Sequence, residues 1–390
     1  MLLLSEISLY PATREQTIAS WKRTAVEWGT GLTLEEYIDR ELVGEKEEFA
    51  RGGKQITWVL APRNDPTTLD FFCSCETFKR KIAISHPAAP GQTEPTVEQG
   101  FGYGIASVFT PPQHRGKGFA RHMMRLLHWV LSREEYISTL VFPETWGAPP
   151  DRVPNAGDAF VAVLWSDIGP KFYKGCAMGL RVGTGEEGGS GADGWVVRSP
   201  ESTDWDVRGL DLPEVEGGVT WLDEESAKRV WGEDTAKIKA EVVEATKAKG
   251  KTYFSFLPNE GVAEFQWFRL HYHFSKYVQN PPRYCGLRIG EGGAFATWTC
   301  EYRPCLRKTL ILTRLRANEE EVERLMAEVL KYTRNNGLDV VEAWNLPPDL
   351  EKALSIFGGV KVEREEHLPA LKWYGKERVE WMLNERFCWC

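Results

Sequence analysis

The densest chemistry in the chain sits in Gln113-His114-Arg115-Gly116-Lys117-Gly118-Phe119-Ala120. Two glycines two positions apart let backbone approach a ligand, and Arg115 and Lys117 supply positive charge. An amphipathic helix follows, so amides at its start could take phosphate oxygens. Two nucleotide motifs do not fit. A Walker A loop requires Ser or Thr where Phe119 stands, and Gly116-x-Gly118-x-Ala120 is one residue shorter than the dinucleotide fingerprint. Gly100-x-Gly102-x-Gly104 falls within or before a strand instead of opening a helix. Elsewhere, Glu76 and Asp167 stand at or near the ends of expected central strands, where a carboxylate can hold a cation or take a proton. The competing reading is an ordinary strand-end acid. His271 and His273 lie in an aromatic helix of the second half and could reach across a cleft, although a lone His is more often structural. Cys176, in the apolar context Ala177-Met178, reads as a buried thiol rather than a nucleophile.

The elements that must position these residues are legible as periodicities. After a strand near 6–12, Thr13 with Gln16 and Thr33 with Glu36 are capping boxes, each followed by apolar residues at helical spacing. Runs 56–61, 69–77 and 103–110 read as strands, and 87–102 as a Pro/Gly-rich loop. Phe119, Met123, Leu126, Leu127 and Val130 share one helix face, and 160–165 is a buried strand ahead of a short helix at Gly169-Pro170. The first half therefore runs β-α-α-β-β-β-α-β-α. Residues 183–218, glycine-rich and then Ser/Pro/acid-rich, read as a linker or mobile loop. Beyond it come helices over 224–249 and 262–278 and strands over 284–289, 294–302 and 309–315. Asn318 caps a helix with Glu319, Glu320 and Glu321 at its positive end, and a strand (340–344), a short helix (349–357) and a last strand (360–365) follow. Strands, long helix, strand and short helix echo the first half without any visible repeat. The expected organisation is α/β (α+β): a unit over 1–182, the linker 183–218, and an α+β unit over 219–390.

Composition bounds the function. The 390 residues, 42% hydrophobic with 16 Trp and 18 Phe, are enough for two or three packed units and exclude a disordered chain. A formal charge of -8 disfavours nonspecific binding of nucleic acid or anionic membrane and suits a small cationic partner. The apolar start is broken at Ser5-Glu6, no stretch approaches the roughly 18 apolar residues of a membrane span, and the eight Cys include no CxxC pair. A cytoplasmic chain without a metal site is expected, of unspecified oligomeric state.

Gln113-x-x-Gly116-x-Gly118, after a strand and before a helix, resembles the Q/R-x-x-G-x-G/A loop of GNAT-type N-acetyltransferases. Further segments narrow the resemblance to the fungal lysine N6-acetyltransferase family: Ala12-Thr13-x-x-Gln16, Glu27-Trp28-Gly29, Glu36-Tyr37-x-x-Arg40-Glu41, Cys75-Glu76-Thr77, residues 105–112 and Leu164-Trp165-Ser166-Asp167. It is dense over about 1–180 and sparser afterwards, resting on Phe256-Leu257-Pro258 and Phe265-Gln266-Trp267. Phe268 and His271 stand where the family has a His and an Arg, which bears on whether the amine is free lysine. The resemblance implies a GNAT fold with a central mixed sheet and a C-terminal unit that could be a degenerate second one. It implies acetyl-CoA as cosubstrate, its pyrophosphate on residues 113–120 and its thioester along the strand near Val108 and Phe109. Tyr173, in Phe172-Tyr173-Lys174-Gly175 after the next strand, would then protonate the leaving thiolate. The function implied is acetyl transfer to a small amine, lysine or a lysine-like metabolite. The alternatives are a peptide or protein amine, or a non-catalytic CoA-binding module.

Overall fold

The computed structural model describes residues 3–181, 193–213, 218–290, 293–304 and 306–390. Both expected capping boxes form. Thr13 accepts the Gln16 amide and opens the helix Arg14–Trp28, and Thr33 accepts the Glu36 amide and opens Leu34–Gly44.

Two mixed sheets organise the chain. In the first, strands Ile7–Pro11, Gln55–Pro62, Cys73–His86, Thr96–Phe109, Ala159–Ser166, Leu368–Trp373 and Val196–Val197 lie side by side. Thr252–Phe256 also pairs with Cys73–His86, and Val379–Trp381 pairs with Thr252–Phe256. The central pair, Thr96–Phe109 beside Ala159–Ser166, is parallel, and the helix Phe119–Leu131 lies between them in sequence. The second sheet runs Val219–Leu222, Gly286–Ile289, Ala294–Glu301, Thr309–Arg316, Val340–Trp344, Glu201–Asp206, Val360–Glu363. Here too one pair, Thr309–Arg316 beside Val340–Trp344, is parallel across a helix, Glu319–Asn335, and Glu201–Asp206 closes on it antiparallel. The echo expected between the halves is therefore one of strand order and direction.

Three sequence expectations need correction. The linker 183–218 contains Glu201–Asp206, an interior strand of the second sheet; its Ser, Thr and Asp content mimics a loop, but Ser202, Thr203 and Trp205 are buried. Residues 183–192 and 214–217 of that stretch lie outside the described residues. Sheet membership also does not follow the expected division of the chain, because Thr252–Phe256, Leu368–Trp373 and Val379–Trp381 join the first sheet. One core accordingly holds Ile82, Phe254 and Trp373 together with Trp231 and Phe295. Finally, the strand expected from 103 already begins at Thr96, so Gly100 and Gly102 lie inside it with Gly104. A Cβ there would meet Phe160, Phe256 and Cys390, so bare backbone is what lets those side chains cross the sheet. No helix among the described residues is long and apolar enough to cross a membrane.

Candidate active site

The parallel ladder between the two central strands runs from Phe101↔Ala159 to Ile105↔Leu164 and stops. Past that point Ala106–Phe109 is held only by Cys73–His86. Even there the register slips between Glu76 and Ser74, leaving Ser107, at φ 54°, and Val108 in a bulge. Trp165 and Ser166 pair instead with Leu368–Trp373. The strands part into a V, and a cavity of about 830 Å³ occupies it.

The mouth of the cavity is the glycine turn. Gly116 and Gly118 adopt φ 76° and 82°, and a Cβ on either would meet nothing within 4 Å, so the turn is open on its outer side. Gly118 stands at the helix N-cap without a side-chain cap. Among the described residues no acceptor takes the N–H groups of 116–121. Six uncommitted amides at the positive end of a 13-residue helix fit a diphosphate. Arg115 is braced by the Thr110 carbonyl (3.0 Å) and Glu27 (3.1 Å), and His114 packs edge-on against Phe72. Val108, Phe109, His114, Arg115, Gly116, Gly118, Phe119 and Ala120 all line the cavity. Gln113 and Lys117 stand outside its wall, with Lys117 Nζ donating to the Gln113 carbonyl (2.8 Å).

Of the four expected chemical side chains, Glu76, Asp167 and Tyr173 reach the wall and His271 does not. Glu76, 4% exposed, accepts from Trp21 Nε1 (3.0 Å) and Gln55 Nε2 (2.9 Å) on one oxygen and from Ser107 Oγ (2.7 Å) on the other. Burial, and then the nearby Glu41 charge, raise its pKa above the ordinary carboxylate value despite the Ser107 and Trp21 donors. Tyr173 is buried, and desolvation holds its phenol protonated well beyond neutral pH. Asp167 is committed elsewhere: burial would raise it, but the His367 imidazole (2.9 Å) and amide (2.8 Å) outweigh that and keep it lowered. A carboxylate held ionised by its own partner is a poor base. His271 stacks on Phe274 with ring centroids 4.0 Å apart, away from the cavity, and burial pushes its pKa down to about 3. It packs instead among the aromatics around it, Trp267 and Phe274. Cys176 is buried, donates to the Phe172 carbonyl (3.3 Å), and is pushed up to about 12, as an inert thiol is.

Sequence reasoning missed part of the wall. Phe265, Arg269, Trp389 and Cys390 line it from the second half of the chain. Arg269 Nη1 donates to both oxygens of Glu41 (2.6 and 2.7 Å), 228 positions away. Neither residue carries a local signal for that meeting, although Arg40-Glu41 sits inside a family-like segment. Among the described residues no group of three or more His, Cys, Asp or Glu is placed to hold a metal.

Comparison with known proteins agrees with this geometry. Residues 202–390 match the family described as the LYC1 GNAT-like C-terminal domain. Two crystal structures share the fold across nearly the whole chain. One, from Enterococcus faecalis V583, is described as a probable N-acyltransferase (TM-score 0.52, 8% identity, 94% of this chain and 72% of that one). The other is a GCN5-related N-acetyltransferase from Anabaena variabilis (TM-score 0.53, 9% identity, 95% and 73%). The chain thus has the fold of the GNAT class of acyltransferases. Within that class it resembles the fungal lysine acetyltransferase, being 22% identical to that of Yarrowia lipolytica over 397 aligned positions, 94% of this chain and 95% of that one. A 119-residue stretch is also 31% identical to the uncharacterized protein YGR111W of Saccharomyces cerevisiae, covering 26% of this chain and 29% of that one.

Proposed function

We propose that the protein transfers acetyl from acetyl-CoA to the amine of a small molecule, lysine N6 or the amine of a lysine-like metabolite. The observation that carries this reading is the open Gly116–Gly118 turn, whose free amides stand at the mouth of a cavity walled by Glu76 and Tyr173. Acetyl-CoA would supply the acetyl group as an activated thioester. Residues 114–120 would hold its diphosphate, and the unpaired edge of the strand at Val108 and Phe109 offers amide donors to a carbonyl oxygen.

An alkyl ammonium ordinarily titrates near 10.4, so baring its lone pair at pH 7 costs about 4 to 5 kcal/mol unless the site removes the proton. Glu76 is assigned that task, directly or through water, because its raised pKa brings it closer to the working pH. Tyr173 keeps its proton on Oη until a sulfur anion needs it. Asp167, tied to His367, is assigned to shaping the wall. No covalent acyl-enzyme is required, in keeping with the inert Cys176.

Incubating the protein with acetyl-CoA and a panel of small amines and lysine peptides, read by mass spectrometry, tests the reading. Mass gain of one acetyl on a small amine is expected. Tight CoA binding with no acetylated amine would leave a binding module, and gain on peptides alone would move the substrate to protein amines.

A further inference from the structure

At the Arg269 wall of the cavity two guanidiniums share one carboxylate. Glu41 is buried between two guanidiniums: Arg40 Nη2 donates to its Oε1 (2.8 Å), and Arg269 Nη1 donates to both its oxygens. One carboxylate therefore serves two cations. Glu76, the other acid within electrostatic reach of Arg269, is already engaged by Trp21, Gln55 and Ser107. Asp39, on the same helix as Glu41, takes the Tyr272 hydroxyl (2.8 Å).

Arg269 is also the cation that faces the cavity. It lines the wall while Arg40 does not, and its side chain keeps 20% exposure. Only Nη1 is used, so Nε and Nη2 have no acceptor among the described residues. A guanidinium presenting two free donors in a plane is the fork that carboxylates dock on. Phe78, Phe265 and Trp389 beside it supply apolar walls for methylenes.

We propose that Arg269, oriented by Glu41, is a specificity-determining residue that grips a free carboxylate on the acceptor. The acceptor is then an aliphatic amino acid whose distal amine is acetylated, rather than a diamine or a lysine inside a peptide. This deepens the reading above and rests on it.

The test compares L-lysine, L-lysine amide and cadaverine, which share the distal amine and differ in the carboxylate. In the unmodified protein, kcat/KM for lysine should exceed that for the other two by about tenfold to a hundredfold, the range of one charged hydrogen-bonded contact. Arg269→Gln should erase that ratio through KM for lysine and leave cadaverine within about threefold, while Arg269→Lys should keep part of it. Equal rates on all three ligands in the unmodified protein would overturn the proposal, as would an equal loss on all three in Arg269→Gln. Arg269→Gln leaves Glu41 less well paired; if it fails to fold, the unmodified protein's ratio decides alone. Calorimetry of the same three ligands on the CoA-loaded protein separates this proposal from the broader one. Lysine-selective binding lost in Arg269→Gln, without turnover on any amine, removes the enzymatic reading and keeps Arg269; turnover without selectivity does the reverse.

Discussion

The helices Phe119–Leu131 and Glu319–Asn335 hold the same place in their two sheets, each joining a strand to its parallel neighbour, yet their entrances differ in nearly every chemical respect. The first starts on Gly118 at positive φ, with no side-chain cap and open space around it. The second starts on Asn318, whose Oδ1 accepts the Glu321 amide (2.9 Å), and three glutamates fill its first turn. An anion approaching the first meets unpaired N–H groups and a partial positive charge; at the second the protein has already supplied both the acceptor and the negative charge. The strands next to each helix tell the same story. In the first sheet the parted edge at Ser107 and Val108 opens on the cavity, whereas in the second, where the parallel ladder ends at Ile311↔Glu342, the Leu315 amide is taken by Glu385 (3.0 Å) and Arg314 is closed over it. Equivalent topology thus leaves open amides at the helix entrance in one unit and a self-satisfied scaffold in the other, the difference lying in a few side chains.

The comparison can be broken at the first entrance. Gly118→Val puts a β-branched residue at φ 82° where diphosphate is to lie, and calorimetry should show CoA affinity falling by at least about a hundredfold. Unchanged affinity would mean that the turn is not the cradle. Tyr173→Phe should cost about 10² to 10³ in kcat with CoA affinity retained, the signature of a lost proton donor. Glu76→Gln should lower kcat/KM by about 10² and remove a limb of the pH profile. The sign follows from the raised pKa: the anion is the base, so activity rises as pH climbs through a value above the ordinary Glu range, and a rate that keeps this limb in Glu76→Gln assigns the base elsewhere. At the second entrance Asn318→Ala should cost about 1 kcal/mol of stability by thermal unfolding, and CoA affinity should stay put. Smallest of all, His271→Phe should leave turnover unchanged, since that ring packs on Phe274 outside the cavity.

What could be read from the sequence was local. Thr13, Thr33 and Asn318 announce their helices because a cap and its partner lie three residues apart, and the glycine turn announces itself because positive φ at 116 and 118 needs glycine. Glu76 and Tyr173 were legible as a strand-end acid and a phenol after the next strand. Their surroundings were not. Arg269 meets Glu41 across 228 positions, His367 captures Asp167 across 200, and Trp389 enters the wall from the far end of the chain. No periodicity encodes such meetings. The strand Glu201–Asp206 escaped for a different reason: interior strands are expected to be apolar, and this one hides its hydroxyls between two neighbours.

Amide hydrogen exchange on the intact chain, with and without acetyl-CoA, puts the two helix entrances side by side in one measurement. The account predicts new protection at residues 116–121 and none at 319–321. Exchange at 116–121 that ignores the ligand, or protection that appears at 319–321 instead, would contradict it.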